Sequence, residues 1–368
     1  MALCAYFGML RSRMKLLTPF TAGSLSVPNR VWMAPLTRVR ADHSHVATDL
    51  IAEHYRQRAS AGLLIAEATM VAGNARAFGW EPGIYSPAHV AGWCKVTSAV
   101  HAAGGRIALQ LWHPGRATHP ALNDGLQPVS STNRAIRNGT IETPEGELPY
   151  PAPRALRTDE VPGIVELFRQ GAVNAQEAGF DAVEIHGAHG YILDQFLRDG
   201  ANDRTDEYGG PIANRAKLLL AATDAAIGVF GADRVGVRIS PLVPFNDMQD
   251  SNPPELVAYV AGELQKRHAA YLHLRHDQHA RPAEVELARV ARRHYRGTLV
   301  LNGGFTRESG EEAVRTGLAD AIAYGMLFIP NPDLPRRFLE NAPLNPVDRT
   351  TLYSDGPKGY IDYPALAG

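Results

Sequence analysis

Cysteine is scarce. Cys4 and Cys94 are the only two in 368 residues, and two thiols build neither a disulfide framework nor a cysteine-rich metal site. Long apolar runs are missing as well: none approaches the ~18 residues that a membrane-spanning helix needs. Neither sign of charge is in excess. The 37 Lys and Arg residues face 38 Asp and Glu, a net charge of −1, which exerts no global pull toward nucleic acid or an anionic membrane. There is no internal repeat, no low-complexity tract and no Gly-x-Gly-x-x-Gly fingerprint of a dinucleotide-binding Rossmann unit. The first ten residues, MALCAYFGML, are apolar, but Arg11 and Arg13 follow them, whereas a secretory signal carries its positive charge first. Residues 1–13 are therefore expected to be a loose extension, with organised sequence over residues 14–368 and the cytoplasm as the default location.

What is present is a globular composition, 45% hydrophobic and 20% charged, organised as alternating segments. Eight short apolar runs read as buried strands: Arg30–Leu36, Leu63–Val71, Arg106–Trp112, Ala182–Gly187, Arg234–Ser240, Tyr271–Arg275, Thr298–Gly304 and Asp320–Gly325. Their continuity fits a parallel sheet covered on both faces. Helical patterns lie between them, over Thr48–Ala61, Pro87–Ala103, Gly163–Ala178, Ala213–Val229, Pro254–Arg267 and Arg281–His294, with shorter ones at Glu308–Thr316 and Pro332–Glu340. Eight strand–helix units predict an α/β fold, a single closed (β/α)8 TIM barrel rather than a doubly wound open sheet. One connection is anomalous. About fifty residues rich in Pro, Thr, Asn and Gly separate Trp112 from Gly163, a length typical of a functional lid or a small excursion such as a hairpin.

In a barrel of this kind the site lies at the C-terminal ends of the strands. Strand four leaves His186, His189 and Tyr191 there within six residues, with Gly187 and Gly190 permitting tight turns. Three readings are open: a metal site, histidines satisfied within a packed loop, or two donors aimed at a substrate oxygen with a phenol placed to give a proton. The i, i+3 spacing is not the i, i+4 of zinc helices, which disfavours a metal. Arg238 is an always-charged group inside the apolar strand Val235–Ile239; it must meet an anion or form a structural ion pair. Gln110, in Ile107–Trp112, is a buried amide in need of polar partners. Gly303-Gly304 and Gly325 follow the last two strands, where barrels of this fold commonly bind phosphate.

Together these residues resemble the Old Yellow Enzyme family of FMN-dependent ene-reductases, in its bacterial branch with paired histidines. The matching stretches run from Pro28-Asn-Arg-Val-Trp-Met-Ala-Pro-Leu-Thr-Arg38 and Gln57-Arg-Ala-Ser-Ala-Gly62 to Gln110-Leu-Trp-His-Pro-Gly-Arg116. They continue through His186-Gly-Ala-His-Gly-Tyr-Ile-Leu-Asp-Gln-Phe196, Arg204-Thr-Asp-Glu-Tyr-Gly-Gly210, Ile329-Pro-Asn-Pro-Asp-Leu334 and the terminal Gly359-Tyr-Ile-Asp-Tyr-Pro364. The resemblance implies that Ala34, Pro35 and Thr37 line the flavin, that Ala68 and Gln110 contact its ring, and that Arg238 sits beside N1 and O2. It implies that His186 and His189 hold a substrate oxygen, that Tyr191 protonates a substrate carbon, and that Trp112 and Tyr353 shape the pocket. Gly304, Phe305 and Gly325 would cradle the FMN phosphate.

The implied activity is reduction of activated alkenes, α,β-unsaturated carbonyl or nitro compounds, in a ping-pong cycle with NADPH or NADH as transient reductant. Monomer and homo-oligomer stay equally open. A flavin- or ligand-binding barrel of the same fold without turnover is the alternative, and a metal-dependent barrel hydrolase is a third. The chain departs from the family at three places. Met326 stands where an arginine usually clamps the phosphate. Arg275-His276-Asp277-Gln278 replaces an acidic Glu-Pro segment after strand six, with Arg275 a possible substitute cation. Trp80 stands where a pocket tyrosine is common, which should narrow or reshape the substrate mouth.

Overall fold

The computed structural model describes residues 14–276 and 281–367. The expected N-terminal extension, along with Asp277 and Gln278, lies outside the described residues. Eight parallel strands close into a barrel: Val31–Met33, Leu64–Met70, Ile107–Trp112, Ala182–Gly187, Val235–Ile239, Tyr271–Arg275, Thr298–Asn302 and Ala321–Tyr324, in that order. Each lies within a segment read as a strand from the sequence, and helices cover the outside. Among the described residues no helix is long and apolar enough to cross a membrane.

The strand period of two decides what the barrel interior contains. Ile65, Ala108, Ala182, Tyr271, Val300 and Ala321 point inward and form a dry lower layer around Trp32. Gly236 belongs to this layer, and a Cβ there would meet the Tyr271 ring at 2.1 Å, so only glycine leaves room for the tyrosine. Two residues further along four neighbouring strands the inward positions turn polar: Gln110, Glu184, Arg238 and His273. Strand register sets Gln110 opposite Glu184, His186 opposite Arg238, Arg238 opposite His273 and Arg275 opposite Asn302. The interior is thus apolar at the bottom and hydrogen-bonding at the top, which places the chemistry at the C-terminal mouth.

Three features were not predicted. A hairpin, Phe20–Ala22 with Leu25–Val27, plugs the lower end, its Ala22, Leu25 and Val27 packing into the dry layer. The helix expected over Ala213–Val229 is two segments, Ile212–Arg215 and Lys217–Phe230. The C-terminal tail, expected against the exterior, is anchored more deeply. Tyr360 is fully buried and its ring stacks on His54 at 4.0 Å and 4°, while Arg38 and Arg40 donate to tail carbonyls. Arg38 reaches Leu352 O at 2.9 Å and Gly359 O at 2.8 Å; Arg40 reaches Thr351 O at 3.0 Å and Leu352 O at 3.1 Å. The long excursion after strand three contains the expected kind of hairpin, Thr140–Thr143 with Gly146–Pro149, and a short parallel pairing of Val129–Ser130 with Arg154–Ala155.

Candidate active site

Strand four ends at Gly187, and the chain turns at once. His189 adopts φ 57°, a left-handed conformation that a non-glycine residue takes only when held there. Two bonds hold it: its N–H donates to Ser240 Oγ at 2.8 Å, and its carbonyl accepts from Asn246 Nδ2 at 2.9 Å. The turn brings the His186 and His189 rings to 5.6 Å and the His186 and Tyr191 rings to 5.0 Å. Asp194 accepts from Gly190 N at 2.9 Å. Gln195 ties this loop to the strand-three loop, donating to Gly190 O at 2.7 Å and Pro114 O at 2.9 Å. The three predicted catalytic residues therefore form one cluster.

Their protonation follows from burial. Desolvation, then the Arg238 charge, holds the His186 and His189 pKa values well below the usual histidine range, so both rings are neutral at pH 7. His186 Nδ1 lies 3.3 Å from Ala188 N–H and accepts from it, which leaves the ring proton on Nε2 as a donor. Burial raises the Tyr191 pKa above that of a free phenol, so Tyr191 keeps its proton. Edge-on contact with Trp112 at 5.2 Å fixes its ring.

Arg238 is positioned from two sides. Its Nη2 donates to Asn302 Oδ1 at 2.7 Å, and Asn302 Nδ2 donates to Ala323 O at 2.7 Å. Burial lowers the Arg238 pKa to about 10, which leaves the group cationic. Below it, Glu184 accepts from Gln110 Nε2 at 2.7 Å and from His273 Nδ1 at 2.8 Å. A carboxylate only accepts, so Gln110 turns its NH2 to Glu184 and its oxygen is the group left for a ligand N–H.

Several observations fit an FMN at this mouth. Arg238 Nε is buried without a hydrogen-bond partner. Ala34 and Ala68 present small side chains, and a register shift between Ala66 and Ala68 turns strand two there. Pro35 is buried and Thr37 half-buried beside them. At the other end Gly303 and Gly304 have φ 126° and 62°, which points successive N–H groups outward as an anion-binding concavity. The N–H groups of Gly304, Phe305, Gly325 and Met326 have no acceptor among the described residues. These features match a flat hydrogen-bonding ring at one end and an anion at the other. Among the described residues no group of three or more His, Cys, Asp or Glu side chains is arranged to hold a metal ion.

A cavity of about 680 Å³ is walled by Phe78, Trp80, Ile141, Tyr150, Phe245 and Tyr353; Tyr191 does not line it but shares an apolar cluster with its wall residues Ala77, Leu122 and Ile141. Trp80 and Tyr353, both expected to shape the substrate pocket, line this cavity, Tyr353 being 66% exposed. Trp112, also expected to shape the pocket, is fully buried, its ring packed on Tyr191 at 5.2 Å and on Phe78 at 5.9 Å. Glu184, His273, Asn302 and Gln195 escaped the sequence reading. For Glu184 and His273 a signal existed: each interrupts a buried strand with a polar group, the same argument that selected Arg238. The model of the NADH:flavin oxidoreductase / NADH oxidase family matches residues 15–345. The chain is 46% identical over 362 residues to 12-oxophytodienoate reductase 1 of Oryza sativa subsp. japonica, covering 95% of this chain and 93% of that protein. The structure of morphinone reductase in complex with tetrahydroNAD superposes with a TM-score of 0.91 at 44% identity, covering 96% and 98% of the two chains. An old yellow enzyme homologue from Zymomonas mobilis superposes at 0.90 and 41%, covering 96% and 100%.

Proposed function

The chain belongs to the NADH:flavin oxidoreductase / NADH oxidase family, the Old Yellow Enzyme family, and is an NAD(P)H-dependent FMN oxidoreductase; from that premise we propose that it reduces the activated C=C bond of enones and nitroalkenes at the cluster of His186, His189 and Tyr191. The observation that carries this assignment of residues is the convergence of two neutral imidazoles and one protonated phenol beside a buried cation. FMN, when bound, supplies the hydride, and NADPH or NADH restores it.

The chain's own residues do the rest. Hydride arrival at the β carbon drives negative charge onto the substrate oxygen. N–H groups of His186 and His189 meet that oxygen and stabilise the charged transition state more than the neutral substrate. Neutral rings serve here because no proton needs to leave them. Tyr191 O–H delivers a proton to the α carbon. Ala34, Pro35, Thr37, Ala68 and Gln110 would hold the flavin ring, Arg238 would balance negative charge that builds up on it, and Gly304, Phe305 and Gly325 would hold the phosphate through backbone N–H groups.

Replacing both histidines with alanine tests this. One oxyanion donor contributes roughly 2.7–4 kcal/mol in comparable sites, so cyclohexenone turnover should fall more than about a hundredfold while the visible flavin spectrum is retained. A double variant that bleaches with NADPH and reoxidises with cyclohexenone at the wild-type rate sinks the assignment.

A further inference from the structure

Met326 presents no charge at the end of strand eight and is 39% exposed, yet a phosphomonoester brings a charge of about −1.5 to −2. We infer that the cation facing the FMN phosphate is Arg281, at the start of the helix after strand six, so that the charge reaches the phosphate loop from its opposite side. This rests on FMN as the cofactor and on the N–H cradle at Gly304 and Phe305.

Arg281 is built into that loop. Its Nη2 donates to Gly303 O, and its guanidinium lies 4.5 Å over the Phe305 ring. Gly303 and Phe305 flank Gly304, so the cation rests on both sides of the residue whose N–H lacks an acceptor. His276 sets its orientation. Burial, then the Arg281 charge, pushes the His276 pKa down to about 3, so the ring is neutral; Nδ1 lies 3.5 Å from Arg281 Nη1 and Nε2 lies 3.7 Å from Glu284 Oε2. The imidazole thus turns its lone pair to the guanidinium and its N–H toward the carboxylate. A guanidinium has five N–H donors; these two contacts use two, and the other three have no acceptor among the described residues. Arg275 also approaches the loop, with its Nη1 2.7 Å from where a Cβ on Gly303 would stand, but it lines the cavity beside Phe245 and Asn246. Its positive potential reaches His189 and Arg238, whereas Arg281 contacts Gly303 O and the Phe305 ring, on either side of the Gly304 N–H. An anion seated on the N–H groups of Gly304 and Phe305 therefore meets a cation already oriented, with no contribution from position 326.

The test compares FMN with riboflavin, which share the ring and ribityl chain and differ in the phosphate. The full chain, freed of flavin, is titrated with each by fluorescence quenching. The ratio of the two dissociation constants isolates the phosphate. In Arg281→Gln that ratio should fall by about tenfold, the lower end for a charge-assisted contact that is partly solvated, with riboflavin binding changed by less than about twofold. Adding Met326→Arg to Arg281→Gln should restore the ratio, because a cation then reaches the phosphate from strand eight. An unchanged ratio in Arg281→Gln, or an equal weakening of both flavins, overturns the assignment and leaves Arg281 as a structural brace. A fall in the ratio with Arg275→Gln but not with Arg281→Gln overturns it in favour of Arg275. If the wild-type chain binds neither flavin, the cofactor reading fails and this inference falls with it.

Discussion

Tyr191 keeps its proton because its phenol is 7% exposed, wedged between Trp112 and His186, and burial disfavours the phenolate. A phenol held this way is suited to giving a proton once charge has built up on the substrate and to little else. Tyr191→Phe removes the proton and keeps the packing. General acids contribute typically 10²–10⁴-fold, so reoxidation of the reduced enzyme by an enone should slow by about a hundredfold or more, while reduction by NAD(P)H stays close to the wild-type rate. Stopped-flow absorbance separates the two half-reactions; equal slowing of both assigns Tyr191 a structural role. Nitro compounds, whose protons come readily from water, should suffer less. At this scale the sequence was informative about identity and poor about support. His186, His189, Tyr191 and Arg238 stood out as polar groups at strand ends, whereas Asn302 and Gln195 are ordinary residues whose importance comes from partners 64 and 81 positions away.

Among the elements, the C-terminal tail shows how a segment without regular structure is made rigid. Arg38 and Arg40 follow strand one, and their guanidinium groups satisfy carbonyls of residues 351–359 that no helix or strand would satisfy. The same anchorage carries Tyr353 to the cavity wall. Arg40→Met keeps the aliphatic bulk and takes the donor from the buried Arg38 O, costing about 1–3 kcal/mol, while Leu352 O and Thr351 O are left with their bonds from Arg38 and Ser354. The tail should loosen: limited proteolysis between residues 345 and 360 should accelerate, and KM for a bulky enone should rise with kcat little changed. A tail as resistant as wild type contradicts this account. The sequence reading placed the eight barrel strands and the helices around them because apolar runs and helical periodicity are local. It missed the N-terminal hairpin, whose three-residue strands are too short to show an alternation, and it placed the tail outside because the stacking of Tyr360 on His54 joins residues 306 positions apart.

For the whole molecule, buried titratable groups set how stability depends on pH. Seven histidines, His54, His89, His113, His186, His189, His273 and His276, have lowered pKa values, in each case chiefly through burial. In the unfolded chain each takes up a proton near pH 6.5 that the folded protein refuses, so stability present above that pH is lost as the pH falls. Glu67 and Asp194 act the other way. Burial raises them to about 7 and about 6; the folded protein holds their protons where the unfolded chain releases them, and their contribution is lost as pH rises. Seven groups outweigh two, so the unfolded state takes up more protons overall from about pH 6.5 down to about pH 5. The Tm of the FMN-saturated protein should fall steadily between pH 7 and pH 5. A Tm that is flat or rising over that interval would mean that these histidines are not excluded from protonation in the folded protein.

Local pattern pointed to the barrel, its order of strands and the end at which the site lies, because a parallel strand buried on both faces needs a continuous apolar run, and eight strand–helix units are the count of a closed (β/α)8 barrel. They also singled out the residue types that hold an oxyanion and give a proton. Only the tertiary structure decided the charge states and the supports. His186 and His189 are neutral because the fold excludes water and sets Arg238 beside them. Trp112 is fully buried because Tyr191 and Phe78 pack on its ring. The absence of an arginine at position 326 was visible in the sequence; that Arg281 lies on the same loop was not, because it comes from a different strand–helix unit, and proximity across neighbouring units of a closed barrel leaves no local pattern.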